Sequence, residues 1–127
     1  MYKVNDDMSI YVTRGDAGGF TVEATIGEGI YTFRAGDKLR FKVFGKKDCE
    51  NVVLQRDFDI VADTTSVQVY LTGADTKIGE VISKPVDYWY EIELNPTGNP
   101  QTIVGYDADG AKVFRLFPEG KDMTEAV

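Results

Sequence analysis

Asp87-Tyr88-Trp89-Tyr90-Glu91-Ile92-Glu93-Leu94 alternates between two sets of side chains without a break. Successive side chains of a β-strand point to opposite faces, so Tyr88, Tyr90, Ile92 and Leu94 share one face while Asp87, Trp89, Glu91 and Glu93 share the other. A helix would need apolar residues recurring every three to four positions, and this run lacks them. Val86 to Leu94 is therefore expected to be the longest and most central strand. Upstream, Lys38-Leu39-Arg40-Phe41-Lys42-Val43 repeats the pattern: Leu39, Phe41 and Val43 belong to the core face, and Lys38, Arg40 and Lys42 to the other. Its basic face suits cross-strand pairing with Glu91 and Glu93, or with Asp57 and Asp59.

The same period extends along the chain. Met8 to Thr13 and Phe20 to Ile26 read as strands joined by the turn Arg14-Gly15-Asp16-Ala17-Gly18-Gly19. Gly27-Glu28-Gly29 closes the second, and Ile30 to Phe33 leads into a turn at Arg34-Ala35-Gly36-Asp37, where glycine takes the positive φ that other residues resist. Asn51 to Ile60, Val67 to Leu71, Gln101 to Tyr106 and Ala111 to Phe117 complete the strands. Thr72 to Gly79 reads as a single helical turn, with Thr72 or Asp75 available to cap its free amides. Asn95 to Pro100 and Asp107-Ala108-Asp109-Gly110 read as turns, the second a hairpin, and Pro118 ends the last strand. About eight short strands with no layer of helices predict an all-β fold. The expected architecture is an antiparallel, immunoglobulin-like β-sandwich over residues 1–118, with a small β-barrel as the alternative. Residues 119–127 are expected to be a polar, flexible tail.

The chain has 127 residues, enough for one domain to bury a sufficient core. Fourteen basic against twenty-one acidic residues give a net charge of −7, which disfavours nucleic acid and anionic membranes as partners. There is no histidine, and Cys49 is the single cysteine, so zinc sites and Cys/His nucleophile pairs cannot be assembled within one chain. The three serines, Ser9, Ser66 and Ser83, lie in no nucleophile elbow, and no phosphate-cradling glycine motif is present. No cofactor, metal ligand or catalytic residue is expected, and the chain reads as a non-enzyme. No apolar run reaches the roughly 18 residues of a membrane helix, and the N-terminus carries no signal-peptide pattern, which suggests a cytosolic, soluble protein.

Several short motifs invite sharper readings. Arg14-Gly15-Asp16 matches an integrin-binding tripeptide, but a turn explains it more simply. Asp107-x-Asp109-Gly110 begins like a calcium loop, yet Lys112 and Pro118 stand where such a loop requires Gly and Glu. Asp57/Asp59 and Glu91/Glu93 set carboxylates roughly 6–7 Å apart by strand rise, a separation also used by glycosidases. Cross-strand ion pairs account for them better than a catalytic dyad. Trp89 lies on the polar parity of its strand, where an indole serves as an interface anchor or, with nearby tyrosines, as a sugar-stacking platform.

Taken in order, the signals are Thr13-Arg14-Gly15-Asp16, Phe20-Thr21-Val22, Tyr31-x-Phe33-x-x-Gly36-Asp37-Lys38-Leu39-Arg40-Phe41, Leu71-Thr72-x-x-Asp75-Thr76, Tyr88 to Leu94, and Thr102-Ile103-Val104-Gly105-Tyr106-Asp107-x-Asp109-Gly110. This order resembles the small β-sandwich domains of tailed-phage and prophage tail proteins, especially the N-terminal domain of baseplate upper proteins. The resemblance covers nearly the whole chain. It implies a virion structural role, attachment to neighbours in a ring, and location in the tail or, before assembly, in the bacterial cytoplasm. It brings no catalytic residues. Such a domain usually precedes others, whereas this chain ends shortly after Pro118. The expected function is that of a tail or baseplate assembly module that contacts other tail proteins and further copies of itself. The candidate interface is Trp89, Lys38, Arg40, Lys42, Glu91 and Glu93. A carbohydrate-binding module using Trp89 and nearby tyrosines is the alternative, with small-molecule or glycan ligands not favoured, and a carboxylate-dependent hydrolase is a third reading.

Overall fold

Backbone pairing follows the alternation closely. The computed structural model describes residues 2–26, 28–47, 50–106 and 110–119. In chain order the strands are β1 (Tyr2–Val4), β2 (Ile10–Thr13), β3 (Gly18–Val22), β4 (Thr25–Ile26), β5 (Gly29–Ile30), β6 (Lys38–Phe44), β7 (Val52–Asp59), β8 (Val67–Leu71), β9 (Val86–Leu94), β10 (Gln101–Val104) and β11 (Lys112–Phe117). Seven form one sheet in the order β1-β2-β11-β9-β6-β7, with β10 also paired to β9. The pairs β3–β8 and β4–β5 stand outside it. The fold is all-β with a mixed multi-stranded sheet.

At nine residues β9 is the longest strand, and it is central. Along one edge it pairs with β6; along the other it pairs with β11 through Val86 to Tyr90 and with β10 through Ile92 to Leu94. Its inward set Tyr90, Ile92 and Leu94 is buried, as are Leu39, Phe41 and Val43 of β6. The core continues through Ile10, Val12, Phe114 and Leu116 of the large sheet and is capped by Val22, Val69 and Leu71 of the β3–β8 pair. Phe41 sits at its middle, with ring centroids 5.9 Å from Phe20, 5.6 Å from Tyr90 and 6.1 Å from Phe114. Burying a ring of this size contributes about 2–3 kcal/mol.

The turn over Thr72 to Gly79 closes reciprocally: the Asp75 amide donates to Thr72 Oγ1 (3.2 Å), and the Thr72 amide donates to Asp75 Oδ2 (2.8 Å). At the end of β9, Asn95 takes a left-handed φ of 51°. Its amide oxygen accepts from the Lys38 backbone (3.0 Å), and its Nδ2 donates to Asp37 (3.1 Å). This junction fixes where β6 begins relative to the end of β9.

The structure departs from the sequence expectations in three places. Residues 2–4 form a strand that was not anticipated, because three residues are too few to display a period and its partner β2 is supplied by a tight turn at Asn5 to Met8. The single strand expected over Phe20 to Ile26 is divided. β3 pairs with distant β8, whereas β4 folds back on β5, and the Tyr31 amide donates to the Ala24 carbonyl at the break (2.9 Å). Finally, β11 runs parallel to β2, in a fold expected to be antiparallel throughout. Alternation encodes which face a side chain takes, not the direction of the neighbouring strand. Cys49, the hairpin turn at 107–109 and residues 120–127 of the expected tail lie outside the described residues.

Candidate functional site

The outer face of the large sheet brings the candidate interface residues together. Because β6 lies between β7 and β9, its basic side chains meet acidic ones on both sides. The register places Lys38 opposite Asp59 and Arg40 opposite Asp57 on β7; on β9 it places Arg40 opposite Glu93 and Lys42 opposite Glu91. Arg40 grips Asp57 at two points, Nε to Oδ1 at 2.9 Å and Nη2 to Oδ2 at 3.1 Å. Lys42 Nζ stands 2.7 Å from Glu93 and 3.3 Å from Glu91, while Lys38 reaches Asp59 at 3.6 Å. Both pairings proposed from sequence are therefore present at once, one on each side of β6.

The electrostatics follow from these contacts. The Arg40 hydrogen bond holds the Asp57 carboxyl below its ordinary value, and the same bond raises Arg40. Partial desolvation pulls the Lys42 ammonium down, but hydrogen bonds to Glu93 and Glu91 outweigh it and leave its pKa above the usual lysine value. Asp7, Asp37 and Asp63, the other described carboxyls with displaced pKa values, also move downward, chiefly through hydrogen bonds from Ser9, the Arg34 amide and the Ala35 amide.

A second ladder lies two strands away. Arg115 binds Asp87 at 2.6 and 3.2 Å, donates to the Tyr11 hydroxyl at 3.1 Å, and sits 5.2 Å from the Tyr11 ring centroid. Between the two ladders runs an apolar row, since Trp89 is opposite Phe44 on β6 and Val113 on β11. Phe44 is buried and also lies beneath Lys42, 5.7 Å from ring centroid to Nζ. Trp89 and Val113 are half-buried, and Val52, opposite Phe44, is exposed. The result is a sheet face with an indole near its middle and ion pairs on both flanks. Tyr88 and Tyr90 belong to the opposite, core side, so Trp89 shares this face with Tyr11 rather than with its sequence neighbours.

Sequence reading missed Phe44, Val113 and the Arg115–Asp87–Tyr11 ladder. Phe44 was detectable, because it extends the parity of Lys38, Arg40 and Lys42 by one step. Val113 and Arg115 depend on which strand neighbours β9, and alternation does not specify that.

Arg14 of the Arg-Gly-Asp motif is turned inward and only 9% exposed. Its guanidinium donates to the carbonyls of Ile78 (3.4 Å) and Gly79 (2.7 Å) and pairs with Glu119 (2.6 Å). Fully buried Thr76 ties the same turn down: it accepts from the Gly15 amide and donates to the Asp16 carbonyl, each at 2.9 Å. Any Cβ on Gly73 would stand 2.7 Å from the Gly15 carbonyl oxygen, so the two turns approach too closely for another residue there. The motif serves as a structural clamp. A recess of about 260 Å³ lined by Glu23, Tyr31, Leu94, Gln101 and Thr102 among others contains none of the candidate residues. Among the described residues, no group of three or more acidic or cysteine side chains is arranged to hold a metal, and no helix is long and apolar enough to cross a membrane. Compared with family models, curated proteins and solved structures, the chain finds no match.

Proposed function

We propose that this chain is a non-enzymatic assembly module that works by protein–protein contact through the outer face of its large sheet. The observation carrying this reading is half-buried Trp89 with half-buried Val113 beside it, backed by buried Phe44, between two ion-pair ladders. A partly exposed tryptophan in an apolar strip with a polar surround has the make-up of an interface core and rim. The engaged state of the acidic pairs supports a non-catalytic role, since Asp57 is gripped by Arg40, and Glu91 and Glu93 share Lys42.

The sequence pattern resembling phage and prophage tail domains supplies the setting: a tail or baseplate protein that meets its neighbours in the virion and, before assembly, in the bacterial cytoplasm. An immunoglobulin-like sandwich is the finer description of the fold. Packing of the β3–β8 pair against the core face of the seven-stranded sheet supports it, while the seven-to-two division of strands between these sheets, the separate β4–β5 pair and the parallel β2–β11 pairing depart from it. Mass spectrometry of gradient-purified tail particles from the encoding strain tests the setting. The protein is expected in fixed ratio to other tail proteins, and its absence from particles would contradict the proposal.

Carbohydrate binding is the second reading, favoured by the partial exposure of Trp89 on the outer face of the sheet. It predicts glycan-array binding that is lost in Trp89→Ala.

A further inference from the structure

Among the described residues, three strands of five or more residues have a neighbour on one side only: β7, at the end of the large sheet, β8, and its partner β3, which opens on Gly18 and Gly19. An unpaired edge offers backbone N–H and C=O groups to another strand. The β7 and β8 edges differ in how they receive one. β7 carries Gln55, Arg56, Asp57 and Asp59, and Arg56 takes the inward parity of Leu54 and Phe58, where Asp75 pairs with it. An inward-directed charge on an edge strand discourages edge-to-edge pairing. β8 reads Val67-Gln68-Val69-Tyr70-Leu71, with no charge, proline or glycine. Val69 and Leu71 are fully buried on its inner side, while Tyr70 is 49% exposed on its outer side. Two copies of a chain carrying −7 repel each other over most approaches, and this edge presents no like charges to oppose one another.

We propose that β8 pairs antiparallel with β8 of a second copy, about a two-fold axis through Val69, merging the two β3–β8 pairs into one four-stranded sheet. In this register Val69 faces itself. Val67 faces Leu71 of the second copy on the inner side, and Gln68 faces Tyr70 of the second copy on the outer side. Every apolar inner residue keeps to the core face and every outer residue to solvent, as strand parity requires. The contact is self-complementary and closed, so it gives a dimer rather than a filament. The Trp89 face belongs to the other sheet and stays free for a different partner; the dimer does not depend on the assembly role proposed above.

Sedimentation equilibrium of the full chain tests the pairing. The wild type is expected to form dimers. Gln68→Lys with Tyr70→Lys sets lysine opposite lysine at both outer positions and is expected to weaken dimerisation by about 100-fold or more. Gln68→Lys with Tyr70→Glu sets lysine opposite glutamate at both and is expected to restore the dimer. Because both positions are exposed, circular dichroism and thermal midpoints close to wild type are expected for each double variant. A wild type that stays monomeric into the millimolar range overturns the proposal, as does a dimer that persists in the lysine–lysine variant or dissolves in Trp89→Ala.

Discussion

Lys42 stands 2.7 Å from Glu93, on the diagonal of the β6–β9 register, in which Lys42 lies opposite Glu91 and Glu93 opposite Arg40. Both side chains are about one-fifth exposed, so the pair is less screened than a typical surface ion pair. Lys42→Ala leaves Glu91 and Glu93 without their shared cation on a partly desolvated face. The expected loss is about 1–2 kcal/mol in urea denaturation. A double-mutant cycle with Glu93→Ala is expected to give a coupling of about 0.5–1 kcal/mol, and zero coupling would show that the contact is incidental.

Arg14 is turned inward, away from the proposed interface, and its removal is expected to destabilise the fold. Arg14→Ala strands the Ile78 and Gly79 carbonyls and unpairs Glu119, at an expected cost of about 2–4 kcal/mol. Thermal unfolding measures it. A near-neutral result would mean that the two turns hold together without the clamp.

Acid and alkali are expected to destabilise the protein by different groups. Asp37 is held below its ordinary value of 3.8 by hydrogen bonds from the Arg34 amide, Asn95 and Tyr31, and Asp57 by Arg40. With folded pKa values below the unfolded ones, these groups bind protons more readily when unfolded. Their stabilisation is present above pH 3.8 and is lost as pH falls through the folded values. Burial displaces the Tyr2 and Tyr90 hydroxyls upward from 10.0, so their contribution is present below pH 10 and is lost as pH rises through the folded values. With no histidine to titrate near neutrality, a plateau between these limits is expected. Urea midpoints across pH test this, and Asp37→Asn should flatten the acid limb.

Asp75 joins two layers: it closes the turn after β8 by accepting from the Thr72 amide and pairs with Arg56 of β7. Asp75→Ala is expected to cost about 1–3 kcal/mol and to loosen the β7 edge. Hydrogen exchange should show faster opening at β7 than at β9, and uniform protection would contradict the link.

How far the sequence carried this account depends on range. β6 and β9 were legible down to individual side chains, because alternation fixes faces and both strands are long enough to show it. The charged residues were legible as partners because the two acidic strands and the basic strand share a period. What escaped notice needed neighbours: the parallel β2–β11 pairing, Val113 beside Trp89, Arg115 upon Asp87, and the inward course of Arg14. Tyr2 was missed for a different reason. It lies in a strand of three residues, and its place is visible only in three dimensions, where its ring stacks on Phe20 at 6.4 Å and covers Gly18.

Trp89 is the only tryptophan in the chain, so replacing tryptophan by 5-hydroxytryptophan, which is excited at longer wavelength than the tryptophans of other proteins, labels the proposed interface alone. The most direct measurement is the label's emission and acrylamide quenching as purified tail particles lacking this protein are added, with soluble oligosaccharides as the comparison. A blue shift and protection from quenching with particles, and no change with sugars, are the expected results. Emission unmoved by particles but shifted by an oligosaccharide would contradict the assembly role.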